Sequence, residues 1–163
     1  MQPEVRALVD ALGLEPHPEG GHYRRIHAAA EEVVHNGRRR PAQTVVQFLL
    51  AAGERSRWHR VDADETWQWR AGDALALEVF DPVSGQATRM VLGAPDAAAV
   101  HTVPAGHWQT ARPLGSHALC TCTVAPGFVW EGFELLEDGA TPPGWHPAST
   151  SFRPSAATRS APR

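Results

Sequence analysis

Lysine is missing from this 163-residue chain, and all 15 of its basic residues are arginines. Without an amine side chain there is no Schiff-base nucleophile and no lysine for a phosphate-binding loop, so both chemistries are excluded. Positive charge is scarce as well: 15 basic residues face 18 acidic ones, for a net charge of -3. That balance gives no polybasic surface and argues against a nucleic-acid partner. Cysteine is limited to Cys120 and Cys122, one residue apart in a strand-like run. Their side chains fall on one face, a poor geometry for a disulfide, and read as two small buried hydrophobes in a reducing compartment. A C-x-C metal pair is the alternative, but no second Cys or His pair at zinc-finger spacing accompanies it. Long apolar runs are absent, so no segment is long enough to cross a bilayer. Glu4, Arg6 and Asp10 interrupt the first 14 residues, which therefore lack the apolar core of a secretory signal. A cytoplasmic protein with no membrane partner is expected.

What is present has the size of one domain with its own core. Val5, Leu8, Val9 and Leu12 follow a helical period between Pro3 and Gly13, predicting a short amphipathic helix over 3–13. A Pro/Gly-rich turn at 16–21 follows. Beyond it, short β-prone segments alternate with Gly, Pro and Asp: 22–27, 43–50, 57–61, 65–70, 74–81, 87–92, 99–103, 107–112, 117–125 and 128–136. This is the rhythm of an all-β sandwich or barrel. The connection 28–42 carries Asn36-Gly37 and the run Arg38-Arg39-Arg40, which reads as a tight turn within a solvated loop. From Asp138 the chain becomes rich in Pro, Ser, Thr and Ala, so a single domain over 1–137 with an extended, partly disordered tail over 138–163 is expected.

The chemistry-bearing stretch runs from Gly53 to Gly72. His59 and Glu65 lie on adjoining strand segments, with Asp62-Ala63-Asp64 as the turn between them. An imidazole and a carboxylate facing one interior form either a metal-ligand pair or an acid/base pair. Trp67 and Trp69 alternate onto the Glu65 face, where indoles stack a planar ligand or fill the core. By the same alternation His107 shares a face with Gln109, whereas Trp58 and Trp108 point away from it.

Gly53, His59, Glu65 and Gly72 fall in register with the first motif of the cupin superfamily, G-x5-H-x-H-x3-E-x6-G, with Val61 in place of the second histidine. Pro104-Ala-Gly106-His-Trp-Gln109 is similar to the second motif, with Gln109 where that family has histidine. The closing asparagine of that motif is missing, since Asn36 is the chain's one asparagine. Four segments in order narrow the resemblance to the uncharacterised cupin-5 type: Pro16-His-Pro-Glu-Gly-Gly-His-Tyr23, His59-Arg-Val-Asp-Ala-Asp-Glu-Thr-Trp-Gln-Trp69, Val103-Pro-Ala-Gly-His-Trp-Gln109 and Val124-Ala-Pro-Gly-Phe128. The resemblance implies a double-stranded β-helix, or jelly roll, with the short N-terminal helix outside it, assembled as a homodimer. It implies a pocket without naming a reaction.

Carrying the cupin metal positions across leaves His59, Glu65 and Gln109 as ligands to a divalent transition metal, which would make the chain a metal-dependent oxygenase or isomerase, on a thin set because valine cannot ligate. The other reading needs no cofactor: a polar pocket holds a small polar or planar metabolite, with Gln109, His107, Trp67 and Trp69 as its binding residues. In that reading His59, oriented by Glu65, is a general base for isomerisation or epimerisation, and Tyr23, the one tyrosine, is the candidate acid. A His-Glu hydrogen bond serving structure alone, in a binding module without catalysis, stays open beside both. Glu19-Gly20-Gly21 reads as a tight turn or as a ligand-facing rim. His17, His22, His27, His35, His101, His117 and His146 read as surface or strand residues.

Overall fold

A computed structural model describes residues 1–147 and 150–153. Pro3 opens helix α1 (Pro3–Leu12), and Gly13, in the left-handed region at φ 61°, closes it by returning its N–H to Asp10. The apolar stripe of α1 buries Val5 and Val9 against Leu14, Leu49 and Ala51. The helix is therefore a cover on the outside of a sheet.

Fourteen strands follow among the described residues. The first large sheet runs in the spatial order β1 (Glu15–Pro16), β2 (His22–Ala28), β5 (Thr44–Ala51), β12 (His117–Ala125), β7 (Asp64–Gly72) and β10 (Val100–Val103). The second runs β13 (Phe133–Leu135), β6 (Ser56–Val61), β11 (Trp108–Pro113), β8 (Leu75–Phe80), β9 (Ala87–Leu92) and β14 (Thr150–Phe152). Neighbours pair antiparallel except β14, which lies parallel to β9. Two facing six-stranded sheets of this kind form the all-β architecture that the strand rhythm predicts, as the jelly roll that the family resemblance implies. No helix among the described residues is long and apolar enough to cross a membrane.

Alternation along the strands decides what lies between the sheets. Phe48 and Leu50 of β5, Trp67 of β7, Leu75, Leu77 and Val79 of β8, and Cys120 and Cys122 of β12 share one buried cluster. Both cysteines are free and buried, and burial pushes the Cys120 thiol up to about 12. They pack as small hydrophobes, in keeping with the pattern of the sequence.

Three expectations need correction. Residues 28–42 are not a bare loop: β3 (Glu32–His35) and β4 (Arg38–Pro41) form a hairpin across the Asn36-Gly37 turn. Within the arginine run, Arg38 and Arg39 are exposed, but the Arg40 side chain is 0 % exposed and forks onto Asp62 at 2.8 and 2.7 Å. Charge counting treats the three alike; a strand pleat does not, because one of them must face the body. The segment 128–136 is not one strand either, since Trp130–Gly132 makes a 3-10 turn and only Phe133–Leu135 pairs. Residues past Asp138 also pack. Trp145 leans on Trp58 with the rings tilted and donates its indole N–H to Glu78, while Thr150–Phe152 extends the second sheet. The outer face of that sheet carries Trp58, Phe80 and Trp108, an apolar surface that requires cover, and Trp145 supplies it. The remainder of the expected tail, 148–149 and 154–163, lies outside the described residues.

Candidate functional site

The chain passes from the second sheet to the first at Asp62-Ala63, so β6 and β7 do not pair with each other but face across the interior. His59 on β6 and Glu65 on β7 consequently meet from opposite walls, with His59 Nε2 3.9 Å from a Glu65 carboxylate oxygen. Gln109 on β11 is the cross-strand partner of His59. Its amide nitrogen donates to Glu65 at 2.6 Å, and its carbonyl oxygen accepts the Trp67 indole N–H at 2.7 Å. The three polar residues singled out in the sequence do converge, held by a buried indole.

A fourth member comes from the turn between β1 and β2. Gly20 has φ 109° and Gly21 φ 73°; a Cβ on Gly20 would collide with the Arg55 carbonyl, and one on Gly21 would sit 2.6 Å from the Leu49 carbonyl oxygen. Only glycines allow this close approach. The Glu19 carbonyl also accepts the Arg57 N–H at 2.7 Å, which locks the turn onto β6 and drives the Glu19 side chain inward. Glu19 is 5 % exposed, and its carboxylate lies 3.5 Å from His59 Nε2 and 3.5 Å from His17 Nδ1.

His17, Glu19, His59, Glu65 and Trp67 border a cavity of about 300 Å³ reaching from the interior to the surface, whereas Gln109, expected to bind the ligand, lies behind them and does not line it. Tyr23, Phe48, Trp67, Phe128, Trp130 and Phe133 supply aromatic wall, and Arg25 and Glu15 also line it. Trp130 stacks on His17 with ring centroids 5.7 Å apart, and Phe133 leans on His59 at 5.6 Å. Tyr23 stands edge-on to His17 at 4.5 Å, so the candidate acid is in the wall.

Burial alone would lower the pKa of His59, but the carboxylate of Glu19, followed by that of Glu65, outweighs it, and the ring is held at about 9. Its Nδ1 lies 2.8 Å from the Arg57 carbonyl and donates to it, so the ring offers a proton at both nitrogens. Burial pushes Glu19 up to about 7, with Glu65 adding to the rise and His59 opposing it. His17 goes the other way, lowered to about 4 by burial and by the neighbouring His59 charge, and its Nδ1 accepts the Glu19 backbone N–H. At neutral pH the site holds an imidazolium, a neutral imidazole and a carboxyl that is part protonated.

Other expected site residues are elsewhere. His107 precedes β11, so strand alternation does not reach it; it lies 3.7 Å from Asp81, outside the cavity. Trp69 is on the same strand as Trp67 but further from the opening, packed against the core cluster with its indole N–H on the Asp73 carbonyl. Neither lines the cavity. Trp58 and Trp108 face outward, as alternation requires. His17, read as a surface or strand residue, is instead in the cavity wall because the turn folds back. Glu19 was visible only through its position before Gly20-Gly21, where a close backbone approach leaves the side chain one direction to take.

The ligand set fits a transition metal badly. Gln109 spends its carbonyl oxygen on Trp67 and turns its amide to Glu65, and Val61 has no donor. Among the described residues no group of three or more His, Cys, Asp or Glu is arranged to hold a metal ion.

The chain matches the family model described as "Cupin superfamily (DUF985)" over residues 6–136. Among solved structures it is similar to a hypothetical protein from Leishmania major, at 32% identity and TM-score 0.74, covering 80% of this chain and 86% of that one. A Shewanella oneidensis protein is similar at 33% identity and TM-score 0.74, covering 84% and 86%. Bacillus subtilis oxalate decarboxylase, one of whose structures is described in terms of Mn(II) centres, shares the fold at 15% identity and TM-score 0.57, over 76% of this chain and 30% of that one. No curated protein matches. With a family model spanning most of its length and relatives a third identical across the jelly roll, the chain belongs to the cupin superfamily, in its DUF985 family.

Proposed function

We propose that this cupin binds a small polar or planar metabolite in the cavity between its sheets, and moves a proton on it without a metal. The observation that carries the reading is the meeting of Glu19, His59 and Glu65 at the floor of an aromatic-walled cavity of about 300 Å³. Buried ionisable groups brought together in a cavity are the equipment of acid/base chemistry, and burial among aromatics leaves few other uses for two carboxylates. Tyr23 in the wall is available as a second proton donor. Isomerisation or epimerisation is the reaction class that needs nothing more than such groups.

A thermal-shift screen of the purified chain against sugar nucleotides, nucleobases and keto acids tests binding, followed by NMR of each stabilising compound in deuterium oxide. Stabilisation with deuterium uptake into the compound supports catalysis; stabilisation without uptake or conversion leaves a binding module. Elemental analysis of protein purified without chelator tests the metal-free part, and a stoichiometric transition metal lost in His59→Ala would overturn it.

A further inference from the structure

We infer that Glu19 is the proton acceptor of this site and His59 its electrophile, so that the ligand is a carbonyl compound with an acidic C–H next to the carbonyl; this rests on the proposed function. Three geometric facts carry it. His59 Nδ1 is committed to the Arg57 carbonyl, so the ring is anchored with Nε2 toward the cavity. Among the described residues Nε2 makes no hydrogen bond; its nearest carboxylate oxygens are 3.5 and 3.9 Å away, on Glu19 and Glu65. A donor held between two carboxylates yet touching neither closely has room to take a ligand oxygen instead. Finally, one Glu65 oxygen already accepts the Gln109 amide, while the Glu19 side chain accepts no hydrogen bond among the described residues. Of the two carboxylates, Glu19 is the one with no hydrogen bond to give up on taking a proton.

The step balances without an oxidant. A Glu19 oxygen takes the proton from the carbon beside the carbonyl. The C–H electron pair becomes the new C=C bond, and the carbonyl π pair moves onto oxygen, where His59 Nε2–H meets the developing negative charge. Returning the proton to the same carbon gives exchange; where that carbon carries a hydroxyl, whose own proton passes to the first carbonyl's oxygen as it becomes the new C=O, returning the proton to the former carbonyl carbon gives the isomer. Gln109 is a positioning residue here: it holds Glu65 away from His59 and never touches the ligand.

The test uses 4-nitrophenol, whose ionised form absorbs visible light and mimics an enolate oxygen on a planar ring. The intact protein is expected to bind it as the phenolate. Replacing the acceptor carboxylate by an amide in Glu19→Gln removes a like charge and should tighten phenolate binding about tenfold, whereas His59→Gln should weaken it at least about tenfold. Binding of the neutral phenol, or a phenolate affinity indifferent to His59→Gln, overturns the inference while leaving the binding cavity standing. Failure to bind in any form overturns it too, and the metabolite screen then judges the cavity separately. Should His59→Gln fail to fold, the 15N resonance of His59 Nε2 in the unsubstituted protein decides. A shift on adding 4-nitrophenol supports the role, and an unmoved resonance refutes it.

Discussion

Gln109 stands directly opposite His59 in the antiparallel register of β11 and β6, yet its side chain bonds to neither nitrogen of that ring. It joins Trp67 to Glu65 instead. The amide thus works as a buried strut between the two sheets, and both of its ends are spoken for.

Gln109→Leu should therefore cost about 2–4 kcal/mol, because it strands a buried indole N–H and a buried carboxylate at once. Urea denaturation measures the loss. A change under about 0.5 kcal/mol, the range of ordinary surface substitutions, would mean that the strut contributes nothing.

The Arg40–Asp62 fork predicts an asymmetric pair of effects. Asp62→Ala leaves a fully buried guanidinium without its partner and should destabilise by about 3–5 kcal/mol, while Arg40→Met with Asp62→Ala should recover much of that. A double-mutant cycle by chemical denaturation checks the recovery. Equal losses from the single and double variants would contradict it.

Stability should fall as pH rises from about 6.5 to 9. His59 has its folded pKa raised from 6.5 to about 9, so its contribution is complete below 6.5 and lost as pH climbs through 9. Glu19, raised from 4.5 to about 7, acts in the same sense between those values. His17, lowered from 6.5 to about 4, has the opposite sign and gains stability over that span, so it and Glu19 largely offset each other in mild acid. Above neutrality His59 acts alone, and the fall should amount to about 2–3 kcal/mol. Thermal denaturation across that window, compared with His59→Gln, measures it; parallel curves for the two proteins would be the wrong answer.

Gly21→Ala tests the turn that delivers Glu19. At φ 73°, with the Leu49 carbonyl 2.6 Å from the new Cβ, alanine must displace the turn. The expected cost is about 1–3 kcal/mol, together with tighter phenolate binding, in the direction of Glu19→Gln, although no cavity residue has changed. Retained binding at wild-type affinity would show that the turn does not position Glu19.

How much of this was legible beforehand differs from residue to residue. The helix, the longer strands of the two large sheets and the inward direction of His59, Glu65 and Trp67 follow from periods of 3.6 and 2, which are local properties. Alternation failed at His107 because the residue lies just outside its strand. It assigned Trp69 the correct face but not its distance from the opening, since face and depth along a strand are separate quantities.

The amino-acid sequence by itself determined the all-β rhythm, the family and the pairing of an imidazole with a carboxylate, because each is written in spacing or residue type. Only the tertiary structure decided that Glu19 and His17 join them, that Arg40 is buried while its neighbours are not, and that Trp145 caps the second sheet. The physical reason is common to all of these: they depend on segments far apart in the chain touching. Burial and neighbouring charge, which set whether a carboxyl or an imidazole holds the proton, exist only after those contacts have formed.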